Sequence, residues 1–110
     1  MTDAAAPRRS NRRLTARRAC RLGVRYRTGS SWHPATAMDL STSGCRLRLG
    51  EDLARGGAIS VRFEVPEGVA RAVAASGTLI WCRLEGLSHQ AGILFSEEPA
   101  GITEILDALA

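Results

Sequence analysis

From Cys20 onward the chain alternates. Cys20, Leu22, Val24 and Tyr26 are apolar, while Arg21, Gly23, Arg25 and Arg27 between them are charged or small, and this period of two predicts a half-buried strand. The pattern returns over 35–40, over 45–49, where Cys45, Leu47 and Leu49 alternate with Arg46 and Arg48, and over 59–65, where Ile59, Val61, Phe63 and Val65 alternate with Ser60, Arg62 and Glu64. A longer fifth strand is expected over 69–83, with Val73, Leu79, Ile80 and Trp81 as apolar members and Gly77 as a bulge or bend, and a sixth over 90–95 through Ala91, Ile93 and Phe95. Turn residues separate them. Gly29, Ser30, Ser31 and Pro34 mark a turn over 28–34, 41–44 is a polar connection in which Gly44 is free to take positive φ, and 53–57, 66–68 and 85–88 turn the chain again. After Pro99 the period changes: Ile102, Ile105, Leu106 and Leu109 repeat at three and four, which predicts a short amphipathic helix over about 99–109.

Six short strands spaced by turn residues and followed by one helix predict a small antiparallel barrel or sandwich. A barrel has the merit of removing the strand edges, but periodicity does not distinguish the two. At 110 residues, with 45% hydrophobic and 24% charged positions, the chain has room for one folded domain. The expected organisation is a flexible basic N-terminal arm over 1–18 and a folded body over 19–110.

Charge sharpens that division. Arg8, Arg9, Arg12, Arg13, Arg17 and Arg18 face only Asp3 within the first 18 residues, so the arm carries a net +5 and the body −1, close to neutral. An anionic partner therefore meets the N-terminus first. All fifteen basic residues are Arg, so the choice of Arg at one site says little; position and spacing carry the inference. Cys20, Cys45 and Cys82 form no C-x-x-C pair and have no histidine at ligand spacing, and His33 and His89 stand alone in turn-like segments. The cysteines are expected to be free, structural thiols, with no metal site. No apolar run reaches membrane-spanning length and no secretory signal opens the sequence, so a cytoplasmic protein without membrane insertion is expected. Nucleophile elbow, phosphate-binding glycine loop and histidine-activated nucleophile are all missing, which argues against an enzyme, a catalytic residue or a cofactor. Trp81 is expected in the core or at a barrel rim. Trp32, in the first turn, is expected to be exposed and available to a partner.

Two strings carry the candidate chemistry: Arg13-Leu-Thr-Ala-Arg17, and Asp39-Leu-Ser41-Thr-Ser-Gly44. A guanidinium is a planar fork of donors that grips a phosphate through two parallel bonds and matches the O6 and N7 acceptors of guanine. Residues four apart lie about 6 Å from each other on a helix and about 13 Å apart when extended, so a ligand with two phosphates and two bases is within reach of both. Read singly, the first string is a basic tail and the second a polar hairpin connection. Their order, with the strand Cys20 to Arg27 between them, resembles the PilZ domain family, and Gly77-Thr-Leu-Ile-Trp81 and Gly92-Ile-Leu-Phe95 resemble its closing strands. The resemblance runs from about residue 12 to residue 95.

That resemblance implies a six-stranded antiparallel Greek-key barrel that binds cyclic di-GMP, usually as an intercalated dimer wrapped by the arm. It places Arg13 and Arg17 on phosphates and guanine faces, Asp39 and Ser41 on a guanine edge, and Gly44 where a base must approach the backbone. Arg12, Arg18 and Ser43 are possible additional contacts. At Ser43 the chain departs from relatives that carry glycine there. The expected function is a stand-alone cyclic di-GMP receptor that orders its arm on binding and signals to a downstream protein. A nucleic-acid or other polyanion binder using the arm, and a PilZ-like adaptor that binds only proteins, are the alternatives. Nucleic acid is disfavoured because the body carries slight negative charge and no run of exposed aromatics.

Overall fold

The computed structural model describes residues 17–69 and 72–109. Its strands are β1 (Arg18–Arg27), β2 (His33–Leu40), β3 (Gly44–Leu49), β4 (Ala58–Phe63), β5 (Val73–Glu85) and β6 (Ser88–Phe95), followed by one helix, α1 (Ile102–Leu109). They close into an antiparallel barrel in the order β1-β2-β3-β6-β5-β4. Closure is made by β1, which pairs with β2 on one side and with β4 on the other, so neither end of the sheet is left as an open edge. Because β3 and β4 are sequential but not neighbours, the 50–57 connection supplies the Greek-key crossing.

Alternation translates directly into the core. Val24, Tyr26, Leu40, Leu47, Ile59, Leu79 and Ile93 all point inward and are essentially buried, each contributing about 1.5–3 kcal/mol of hydrophobic stabilisation. The three–four repeat of the helix does the same: Ile102, Ile105 and Leu106 join the core cluster, and α1 packs against β1.

Several boundaries differ from the sequence reading, each for a local reason. β1 begins at Arg18, within the segment assigned to the arm, because Arg18 and Ala19 already pair opposite Leu40 and Asp39. The flexibility expected of the arm, and Arg12 and Arg13 with it, lie outside the described residues. β2 begins at His33 and accommodates Pro34, since the β2–β3 ladder starts only at Thr36 and no neighbour on that side needs the missing N–H. The β5–β6 hairpin closes through just Gly86 and Leu87, with Gly86 at φ 67°, the placement a two-residue turn with glycine first requires. The bulge expected at Gly77 is displaced along β5: the register slips between Leu79 and Trp81, which turns Trp81 to the same outer side as Ile80, itself 40% exposed.

Gly44 is needed for a different reason than expected. The positive-φ glycines are Gly56, Gly68, Gly86 and Gly101, and Gly44 is not among them. A Cβ there would instead run into the backbone carbonyl of Ile93 on β6.

Candidate functional site

Asp39 sits on the outer face of β2, at a point where two bulges re-aim the side chains. β1 slips register between Ala19 and Leu22, and β2 between Ala37 and Asp39. The result brings Arg17, just before β1, and Arg46, on β3, to the same carboxylate. Arg17 Nη1 donates to Asp39 Oδ1 at 2.8 Å, and Arg46 Nε donates to Oδ2 at 2.9 Å. Arg46 Nη1 also donates to the side-chain oxygen of buried Gln90 on β6, at 3.2 Å. The carboxylate is 16% exposed and the two guanidinium side chains 49% and 38%, so a shielded anion lies between two accessible cations. Arg17 and Asp39, one from each sequence motif, are therefore in contact. Arg18 is exposed at the start of β1 opposite Leu40.

The second motif folds back on itself. Ser41 is completely buried; its Oγ accepts the backbone N–H groups of Ser43 and Gly44, each at 3.2 Å, and donates to the Gly44 carbonyl at 3.3 Å. Ser41 N also donates to that carbonyl, and Phe95 N donates to the Ser43 carbonyl, tying the turn to β6. The hydroxyl that the resemblance sets on a guanine edge is thus spent inside the turn. Ser43, half-buried with its Oγ 3.2 Å from that of Ser41, is the hydroxyl nearer the surface.

Register extends the site beyond the motifs. Ala19, Asp39, Arg46, Gly92 and Trp81 stand in one cross-strand row over β1, β2, β3, β6 and β5. Gly92 has no side chain to separate Arg46 from Trp81, and the indole nitrogen occupies the space its Cβ would need. Trp81 is half-buried on the outer face, with the Arg83 guanidinium 4.9 Å from its ring centroid. Arg46, Gln90 and Trp81 were not singled out for the site from sequence. Arg46 lay on the polar side of its alternation, but its meeting with Asp39, and the outward turn of Trp81 at the Ile80 bulge, depend on register.

Other residues settle as structure. Trp32, expected to be exposed, is half-buried with the guanidinium groups of Arg27 and Arg62 at 4.8 and 4.2 Å from its ring. All three cysteines are free thiols, and Cys20 Sγ donates to the Ala37 carbonyl at 3.3 Å. Among the described residues no group of three or more His, Cys, Asp or Glu side chains is arranged to hold a metal, and no helix is long and apolar enough to cross a membrane.

Comparison with known proteins bears on both the barrel and the motifs. The chain resembles the solved structure of the Bacillus subtilis inhibitor of motility (MotI/DgrA), with a TM-score of 0.74 and 17% identity over 89% of this chain and 49% of that one. It also resembles a pathogenic protein from Xanthomonas campestris described as a new tetrameric PilZ domain self-assembled via a helical bundle, with a TM-score of 0.53 and 16% identity over 74% of this chain and 45% of that one. The chain thus spans about half the length of each. No curated protein matches it. The family model of the PilZ domain matches residues 7–109, which include both arginine and aspartate motifs, and the chain belongs to the PilZ domain family.

Proposed function

We propose that this chain is a cyclic di-GMP receptor whose ligand is held between the basic N-terminal segment and the outer face of β2 and β3. PilZ domains are generally receptors for this dinucleotide rather than enzymes. The observation that carries the reading for this chain is the contact between Arg17 and Asp39, which gathers complementary halves of a guanine nucleotide site at one point.

The chemistry follows from what each group offers. A carboxylate only accepts, and the Watson–Crick edge of guanine presents N–H donors; a guanidinium only donates, and guanine O6 and N7 and the phosphate oxygens accept. Both Asp39 oxygens are engaged by arginines, so binding is an exchange. The guanine edge takes Oδ1, Arg17 turns to a phosphate or to O6 and N7, and Arg46 keeps Oδ2 and holds the carboxylate in place. Arg13 supplies a second cation from the arm, with Arg12 and Arg18 beside it. Ser41 acts by shaping the turn, Gly44 by letting β3 lie close to β6, and Ser43 presents the accessible hydroxyl. Trp81, at the far end of the row, offers a flat face beyond Arg46. Two stacked dinucleotides supply four bases and a doubled charge, which suits an arm with several arginines. Ordering of that arm over the ligand creates the surface a downstream protein reads.

Titration calorimetry with cyclic di-GMP tests this. Each charge-assisted bond contributes about 1.5–3 kcal/mol, so Arg17→Ala is expected to weaken binding roughly ten- to a hundredfold, and wild type is expected to take up two molecules of cyclic di-GMP per chain. Unchanged affinity in Arg17→Ala refutes the assignment. Competition by excess GTP or by DNA favours a general polyanion binder instead.

A further inference from the structure

A second surface lies on the far side of the barrel, where β5 is three strands from β2 in either direction. Its outward-facing side chains run in two rows. Arg25, Arg62 and Ala74 face one another across β1, β4 and β5, and Arg27, Ser60 and Ser76 form the next row. Ser96 continues it, donating its N–H to the Ser76 carbonyl at 2.8 Å, and Glu97 and Glu98 follow. The face is therefore bipolar. On one bank the Arg27 and Arg62 guanidinium groups lie over the Trp32 ring, and on the other stand exposed Glu97 and Glu98. Two of the depressions along it share residues 74–76 as a common floor of small side chains.

Neither bank is neutralised by another described residue. Among the described residues, no carboxylate lies within ion-pair distance of Arg25, Arg27 or Arg62, and no guanidinium within that distance of Glu97 or Glu98; the ion pairs that form are at Asp39 and between Arg83 and Glu85. Stacking on Trp32 fixes two of the cations, which lowers the entropy lost when they meet a partner, and the small floor lets another surface approach closely. A foreign acidic segment, or a nucleic acid, that covered the whole face would satisfy one bank and be repelled by the other. The complement of base, floor and acid is acid, floor and base, which is this same face turned through half a revolution.

We propose that two copies of this chain associate about a twofold axis through the Ser60–Ala74–Ser76 floor, with Arg27 and Arg62 of each copy against Glu97 and Glu98 of the other. The contact is small and electrostatic, hence salt-sensitive. It leaves the Asp39 face of both copies open, so it does not depend on the nucleotide reading.

Sedimentation equilibrium on the full chain without nucleotide tests it. The mass is expected to double at low ionic strength and to return to that of a monomer in about 1 M NaCl, where the screening length is about 3 Å. Reversing the basic bank (Arg27→Glu with Arg62→Glu) or the acidic bank (Glu97→Arg with Glu98→Arg) is expected to give monomers. An equal mixture of the two variants should form a heterodimer, because each then carries one sign on both banks and the two faces are complementary. Thermal melts check that each variant is folded. A wild-type chain that is monomeric at low salt, a dimer that survives either reversal, or folded variants that fail to pair on mixing overturns the proposal. So does a monomer that binds polyglutamate or DNA through this face in place of its own copy.

Discussion

Arg46 and Asp39 stand opposite each other in the β2–β3 ladder, Nε 2.9 Å from Oδ2. Arg46 lies outside both sequence motifs, yet it fixes the carboxylate oxygen that Arg17 leaves free, and Gln90 fixes Arg46 in turn. Arg46→Ala is therefore expected to weaken cyclic di-GMP binding about tenfold, the effect of one charged hydrogen bond. Arg46→Lys should recover only part of the loss, because an ammonium cannot span Asp39 and Gln90 with a planar fork. Stability should change by less than about 1 kcal/mol, since the side chain is 38% exposed. Calorimetry with a parallel thermal melt separates the two effects, and unchanged affinity makes Arg46 a bystander.

Ser41 and Ser43 are expected to part company. Ser41→Ala, at a fully buried position, leaves two backbone N–H groups without their acceptor and should cost about 1–3 kcal/mol. Ser43 makes one side-chain bond, to the Ser41 hydroxyl. Among the described residues none other than glycine has positive φ, so a glycine at position 43 is not needed by this backbone. Ser43→Gly should shift stability by less than about 1 kcal/mol. Urea midpoints for the two variants check the ranking; equal losses contradict it.

Two glycines test how the site is spaced. At Gly44 an added methyl meets the Ile93 carbonyl, which is backbone and cannot swing away, so Gly44→Ala should destabilise by about 1–3 kcal/mol. At Gly92 the methyl meets the Trp81 indole, which can rotate outward. Gly92→Ala should accordingly cost less stability and shift tryptophan emission to the red as the ring enters water. A Gly92→Ala spectrum identical to wild type contradicts the contact between the ring and β6.

The strands were legible because an alternation such as Leu22, Val24, Tyr26 is imposed by the pleat itself and needs no tertiary knowledge. Closure was not, because it depends on Val24 to Arg27 finding Ser60 to Phe63 across a long stretch of chain. The same limit applies to the site. Asp39 and Arg17 belong to two motifs whose order along the chain is visible in the sequence. Arg46, Gln90 and Trp81 depend on which residue faces which across three ladders, and a single extra residue at Ile80 turns Trp81 outward. Gly44 takes no positive φ and is instead packed against the Ile93 carbonyl: a sequence reports a glycine's freedom in φ, but not the carbonyl that needs its space.

Cys45 gives the fold an alkaline limit that can be measured. Burial pushes its thiol up from 9.0 to about 12, so the folded state favours the protonated form. Below about pH 9 the thiol is neutral in folded and unfolded chains alike and its contribution is constant. Between about pH 9 and 12 the unfolded chain releases this proton while the folded chain retains it, and stability is lost as pH rises, by about 1.4 kcal/mol per unit for one proton. Burial also raises Cys20 and Cys82. Tyr26 is raised by burial and by its bond to Glu51, from a starting value of 10.0, so the wild-type slope contains more than one group. Cys45→Ala lowers stability at every pH through the lost side chain, but it should also make the decline between pH 9 and 12 shallower by about one proton. Urea denaturation at several pH values reads that slope directly, and an unchanged slope in Cys45→Ala removes Cys45 from the alkaline transition.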